Sequence, residues 1–426
     1  MYHSAGLIYI NGVQVSSSAA TWTTNDVIGT AFDRDLGTIS FYKNGSLIYS
    51  GTSLTNGNSY FELFSDSTDV LVANFGQRPW AYDAPFGFLP LCTTNLPTPT
   101  IKKPSSYMDV VTYTGDGTSS RAITGLNFQP ELIWIKNRTN AYNHTVVDSV
   151  RGGSLYLETN NTNADQSATV ISSFNSNGFQ IGTSSIQVNG TSNTYVAWAW
   201  DEAPIAGMDI VGYVGDGVAG KTVAHSLGVA PKMIIVKNRT TAGFDFVVYH
   251  QNMNASPQGG YVSLNATTAY TANTAIWNNT APSSTVFTIG TNTAVNKSSD
   301  NHIAYLFAEV EGFSKFGSYT GNGSADGPFV WCGFRPRWVM VKQTNTTTSN
   351  SNWFILDSAR NTFNTTDAFV HANTSNAEYG ASVISDFLSN GFKLRIADSL
   401  EQLNTSTKTY IFAAFAESPF KYARAR

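Results

Sequence analysis

With 426 residues, 42 % of them hydrophobic, the chain is long enough for three or four domains that each bury a core. Charged residues make up only 13 % and the formal net charge is −4, which removes the electrostatic case for a nucleic-acid partner or an anionic membrane. Asn, Thr, Ser and Gly fill the place of the missing charges and aromatics reach 13 %, a mixture that disfavours long solvated helices and favours sheets joined by tight turns.

In chain order, Met1 to Val15 alternate polar and apolar and lack the basic start and apolar centre of a signal peptide. No apolar run approaches the roughly 20 residues that span a bilayer. Next come Ala20-Thr-Trp-Thr-Thr-Asn-Asp-Val-Ile-Gly29 and Phe32-Asp-Arg-Asp-Leu-Gly-Thr-Ile-Ser-Phe-Tyr-Lys-Asn-Gly45. Asn74-Phe-Gly-Gln-Arg-Pro-Trp-Ala-Tyr82 follows, with a proline-punctuated exit from Pro85 to Pro97. These segments together resemble the C-terminal half of a SPRY domain, a concanavalin-like β-sandwich used for binding. The strands that precede this half in the family have no counterpart ahead of Trp22. The resemblance therefore implies a half-sandwich, expected to be completed by another chain, by an upstream segment, or not at all.

Residues 107–204, 207–313 and 315–420 then repeat one succession of landmarks. Each copy opens on an aromatic strand and a glycine-rich turn: Tyr113-Thr-Gly-Asp-Gly117, Tyr213-Val-Gly-Asp-Gly217 and Tyr319-Thr-Gly-Asn-Gly323. A proline and an apolar strand ending in lysine follow: Pro130 to Lys136, Pro231 to Lys237, Pro336 to Lys342. Each copy closes on an aromatic strand running into an acid: Tyr195 to Asp201, Ile303 to Glu309, Tyr410 to Glu417. The Asp-Gly and Asn-Gly pairs supply the positive φ that two-residue hairpins need, and the proline suits a strand entry. Short runs at Thr145 to Asp148, Phe246 to Tyr249 and Phe354 to Asp357 add further strands. Several short strands per hundred residues imply β-sandwiches. We therefore expect an all-β chain of tandem β-sandwich modules in an elongated rod: a partial SPRY-like sandwich at 1–104 and three repeats at 105–204, 205–313 and 314–426.

Chemistry-bearing patterns are sparse. The carboxylates Asp116, Asp148, Asp201, Glu202, Asp216, Glu309, Glu311, Asp357, Asp386 and Glu417 stand singly, and several recur at equivalent repeat positions, as turn or strand-end residues do. The six histidines share no spacing, and no nucleophile elbow or phosphate loop is present. One carboxylate per Asp-Gly turn, or the pair Asp33 and Asp35, is too little for calcium, and Cys92 and Cys332 have no zinc spacing. No catalytic residue, metal or cofactor is expected. Asp148 with Arg151, and Asp357 with Arg360, hold matching places in copies one and three. They are read either as a polar ligand site or as ion pairs that fix a loop. Trp198 and Trp200 alternate along a strand and so share a face, as core. Trp277 and Trp353 sit among Asn and Ser and are expected to be exposed contacts. Lys136, Lys237 and Lys342 are expected to keep strand ends soluble. Frequent Asn-x-Ser/Thr sequons, for example at Asn189, Asn254, Asn345 and Asn404, follow from the composition.

A SPRY-like module followed by copies of this repeat also resembles structural proteins of marine tailed bacteriophages, over nearly the whole chain. That resemblance implies a virion protein such as a tail fibre, spike or surface appendage, and a homotrimer. The expected function is non-enzymatic: structure or host attachment through polar loops at Asn160 to Asp165, Asn265 to Asn273, Thr344 to Asn352 and Asn373 to Ala377. Expected partners are other copies of itself, other virion proteins, and a host surface glycan or protein. The alternatives are a capsid-decorating architectural protein and a glycan-depolymerising tailspike.

Overall fold

The computed structural model describes residues 2–10, 12–33, 35–52, 72–380, 383–397 and 403–423. The chain is all-β, with antiparallel sheets and only short helical turns among the described residues. It divides into two compact units, Met1–Pro97 and Thr98–Arg426.

In the first unit, strands Ile28–Asp33, Thr38–Lys43 and Ser46–Thr52 form a meander. Asn44 and Gly45 have φ of 51° and 80°, so the Lys-Asn-Gly sequence makes the two-residue turn that matches strand twist. Asp26 braces this turn: it accepts from the Thr23 amide at 2.8 Å and the Asn44 side chain at 2.7 Å, and pairs with Lys43 at 3.0 Å. These bonds hold its carboxyl down at about 2. A hairpin of Ile8–Ile10 and Val13–Ser16 lies beside a small core of Tyr2, Ile8 and Phe41. Residues 53–71, between this meander and Asn74, lie outside the described residues.

In the second unit each repeat is a two-layer sandwich. The first repeat's inner sheet runs Met108–Thr114, Thr194–Trp200, Leu132–Asn137, Thr145–Asp148; its outer sheet runs Arg121–Thr124, Gly178–Ile181, Ile171–Asn175. The second repeat places Met208–Val214, Asn301–Phe307, Met233–Asn238 and Val247–His250 in the same order, with Lys221–Ala224 and Val286–Ile289 outside. The third places Ser314–Thr320, Thr409–Pro419, Phe334–Gln343 and Trp353–Asp357 inside, with Phe329–Trp331, Gly391–Leu394 and Ser385–Leu388 outside.

Two features differ from the expectations. The Gly-Asp-Gly turns do not close hairpins, because the strand before each one pairs with the repeat's last strand. They carry the chain from the inner sheet to the outer one. Gly117, Gly217 and Gly323 do take positive φ there, at 73°, 75° and 70°. A buried asparagine braces each turn: Asn189, Asn296 and Asn404 accept from the amides of Asp116, Asp216 and Asn322 and donate to the carbonyls of Thr118, Val218 and Ser324. The sequons at Asn189 and Asn404 are therefore closed to modification in the fold.

The second difference is larger. The three repeats do not follow one another as separate modules of a rod but share one continuous core. The middle strands Leu132–Asn137 and Met233–Asn238 are buried at every residue. A sheet with one wet face would alternate. Here one face packs on the repeat's own outer sheet and the other on the neighbouring repeats.

Candidate functional site

Strand pairing aligns the copies residue by residue. Tyr195, His302 and Tyr410 face Tyr113, Tyr213 and Tyr319 across the ladder, so Trp200, Phe307 and Phe415 are equivalents. Those three rings touch one another, with centroids 6.5, 5.9 and 5.9 Å apart. Mutual contact between three equivalent residues requires the repeats to stand round a common pseudo-three-fold axis. Trp338 packs edge-on against Trp200 at 5.5 Å. An apolar cavity of about 40 Å³ lies at this centre, far below the several hundred Å³ of a small-molecule site.

The residues singled out for polar chemistry lie in the seams between repeats. Asp148 and Arg151 have fully buried side chains and pair at 2.6 Å. Asp148 also accepts from the Tyr305 hydroxyl of the second repeat at 2.8 Å. Arg151 reaches Asp165 at 2.9 Å, and Asp165 takes Arg239 of the second repeat at 2.9 Å. The seam between the third and first repeats copies this set. Asp357 pairs with Arg360 at 2.6 Å and accepts from the Trp198 indole at 2.9 Å; Glu378 bridges Arg360 at 3.0 Å and Arg138 at 2.7 Å. Burial works to raise the Asp357 carboxyl, and the Arg360 charge together with the hydrogen bonds from the Trp198 indole and the Arg360 amide and guanidinium more than offsets this, holding it below the usual carboxylate range.

The seam between the second and third repeats has no charge at any of these positions. By register His250 replaces the aspartate and Met253 the first arginine, with Tyr270 and Thr344 in place of the bridging acid and second arginine. The His250 Nδ1 accepts from the Asn252 amide at 3.1 Å, so its Nε2–H donates to the Phe412 carbonyl at 3.1 Å. Burial pushes this ring down to about 4, which keeps it neutral. All four members change together, as desolvation demands: a buried pair missing one partner leaves an uncompensated charge. In all three seams one main-chain bond is kept, from Asp165, Tyr270 and Glu378 to the carbonyls of Arg239, Thr344 and Arg138 at 3.0, 2.9 and 2.9 Å.

Lys136, Lys237 and Lys342 are not solubilising residues, because all three are fully buried. Each donates to a carbonyl of its own repeat and to one on a neighbouring repeat's loop: Ser375 for Lys136, Thr162 for Lys237, Thr267 for Lys342. Burial lowers them to about 8, 8 and 7. Three of the polar loops expected to be free for contact are thus spent clamping the next repeat.

Trp277 and Trp353 are corrected as well, since both are only 2 % exposed. Trp277 ends a helical turn that fills the second repeat's sandwich, donating to the Gly260 carbonyl at 2.9 Å. Trp353 donates to the Ser263 carbonyl of the second repeat at 2.8 Å. Local polarity marked them as exposed; what covers Trp353 is a surface far away in sequence. Trp198 and Trp200 do share a buried face, the one toward the axis.

One junction departs from its counterparts. Between the first and second repeats Glu131, Asp201 and Asp209 surround Glu202, where the other two junctions place Lys232, Ala308 and Lys315 round the equivalent Glu309, and Ala416 with Arg337, paired with Asp109 at 2.8 Å, round Glu417. Burial and the neighbouring acid lift Glu131 and Glu202 to about 7. The acids are held in pairs, Glu131 with Asp201 and Glu202 with Asp209.

The chain matches the model of a family described as a domain of unknown function, DUF7483, over residues 103–419. No curated protein matches the chain.

Proposed function

This chain belongs to the DUF7483 family, and from that footing we propose that it is a non-enzymatic structural and attachment protein of a bacteriophage particle, a tail fibre, spike or surface appendage. One observation supports it above the others. The acids, arginines, histidines and lysines that could have served chemistry are bonded across seams, where they lock three repeats about one axis. A body braced in this way resists shear and presents several loops from a single rigid frame, which suits weak contacts repeated over copies. In one chain the repeats take the part that subunits take in a homotrimer. A homotrimer of the whole chain would then multiply such bodies.

The test is antibody labelling of purified particles from the host system that encodes the chain, with peptide counting by mass spectrometry. Stoichiometric presence on the particle surface is the expected result. Absence from purified particles refutes the proposal. Light scattering of the purified protein separates a 46.1 kDa single-chain body from a homotrimer of three times that mass.

A further inference from the structure

The outer sheet of the third repeat carries residues that its counterparts lack. Strand register puts two rows on its solvent face: Phe329, Lys393 and Asp386 in one, Trp331, Gly391 and Leu388 in the next. Val330, Phe392 and Phe387, between them in sequence, point inward to the core. The first repeat fills the same rows with Ala122, Gln180 and Ser173, then Thr124, Gly178 and Asn175. The second has Thr222 and Thr288, then Ala224 and Val286. The sheet therefore folds and packs without aromatics at these two positions. In the third repeat Phe329 is 46 % exposed and Trp331 51 %. Large apolar rings side by side in water mark a contact surface.

The details describe a platform. Gly391, cross-strand from Trp331, is buried and admits no side chain, since a Cβ would meet the Val330 carbonyl oxygen at 2.0 Å, so nothing rises beside the indole from that position. Phe420 props the indole edge-on at 5.5 Å, so the ring is held before anything binds. Lys393 pairs with Asp326, and Arg395 with Asp386 at 3.5 Å. Each cation meets an anion, so the polar end of the platform offers donors and acceptors with no net charge. An anionic partner would call for an unpaired basic cluster, and an amphipathic helix for an apolar groove. Aromatic planes beside self-neutralised polar groups fit a molecule with flat C–H faces and many hydroxyls.

We propose that this face binds a neutral oligosaccharide, one pyranose stacking on the exposed Trp331 beside Phe329 while its hydroxyls reach the Lys393–Asp326 and Arg395–Asp386 pairs. The proposal rests on the attachment part of the function given above and names its ligand class. The experiment is a glycan array of neutral and anionic oligosaccharides, probed with the full chain and with Trp331→Thr and Phe329→Ala. Both variants place residues that the sister sheets already carry, so their unfolding midpoints are expected to match the parent. Retention of neutral glycans, falling at least tenfold in Trp331→Thr, is the expected result. No neutral glycan retained, retention of anionic glycans alone, or retention unchanged in Trp331→Thr overturns the site. Sedimentation of the same samples adds a further outcome: self-association lost in Trp331→Thr would assign the face to a second copy and overturn the glycan site. Particle labelling remains a separate result, so failure here leaves the particle assignment standing, and failure there leaves a glycan-binding platform standing.

Discussion

Replacing Arg151 by Met puts into the first seam the residue that Met253 supplies in the second. The parent Arg151 donates to Asp148, Asp165, the Val146 carbonyl and the Tyr305 hydroxyl. Removing it leaves the Asp148 carboxylate fully buried with only the Arg151 main-chain amide and the Tyr305 hydroxyl as partners. Breaking a buried pair from one side costs about 3–5 kcal/mol. Asp148→His with Arg151→Met removes both charges and copies His250 and Met253, whose seam is neutral. The double variant should recover about 2 kcal/mol of that loss, a coupling energy within the usual span for groups in one network. Equilibrium denaturant unfolding of the full chain, followed by tryptophan fluorescence, measures each corner of the cycle, with the slope checked for constancy. Strict additivity of the two single changes, or an Arg151→Met loss below about 1 kcal/mol, would refute the claim that seam charges are retained or exchanged as a set.

Other outcomes follow from the same structure. Lys136, Lys237 and Lys342 should stay unmodified by an amine-acylating reagent in the native protein and react after unfolding, read by peptide mass spectrometry; labelling of any of them in the folded chain contradicts their burial. Glu131 and Glu202 have folded pKa values raised to about 7, so their stabilisation is full below the unfolded value near 4.5 and is lost as pH rises through 7. Unfolding midpoints of Glu131→Gln should therefore decline less between pH 6 and 8 than those of the parent. His250, His302 and His371 act in the opposite sense, because values depressed to about 4 add stability that is lost as pH falls from 6.5 through 4. His371→Phe should soften the acid limb of the midpoint curve. Asn296→Ala removes a buried side chain that accepts from the Asp216 amide and donates to the Val218 and Gly290 carbonyls, and should destabilise by about 1–3 kcal/mol in the same denaturant assay.

The class of the fold, the three copies, their opening strands and the shared face of Trp198 and Trp200 were legible in the amino-acid sequence. These depend on local periodicity and on proline and glycine chemistry, written within some ten residues of one another, and on self-similarity at a spacing of about a hundred residues. A sign of the closed arrangement was there too: Leu132-Ile-Trp-Ile and Met233-Ile-Ile-Val are unbroken apolar runs, the mark of strands buried on both faces. The aromatic platform could be found by setting Phe329 and Trp331 against Ala122 and Thr124. What only the tertiary structure decided is which repeat covers which. Trp353, Asp148, Asp357 and the three lysines look solvent-facing in their own segments, and each is buried by a loop or strand from another repeat. A side chain's burial is set by whatever packs over it, and here that surface comes from some 75 to 239 positions away in the chain.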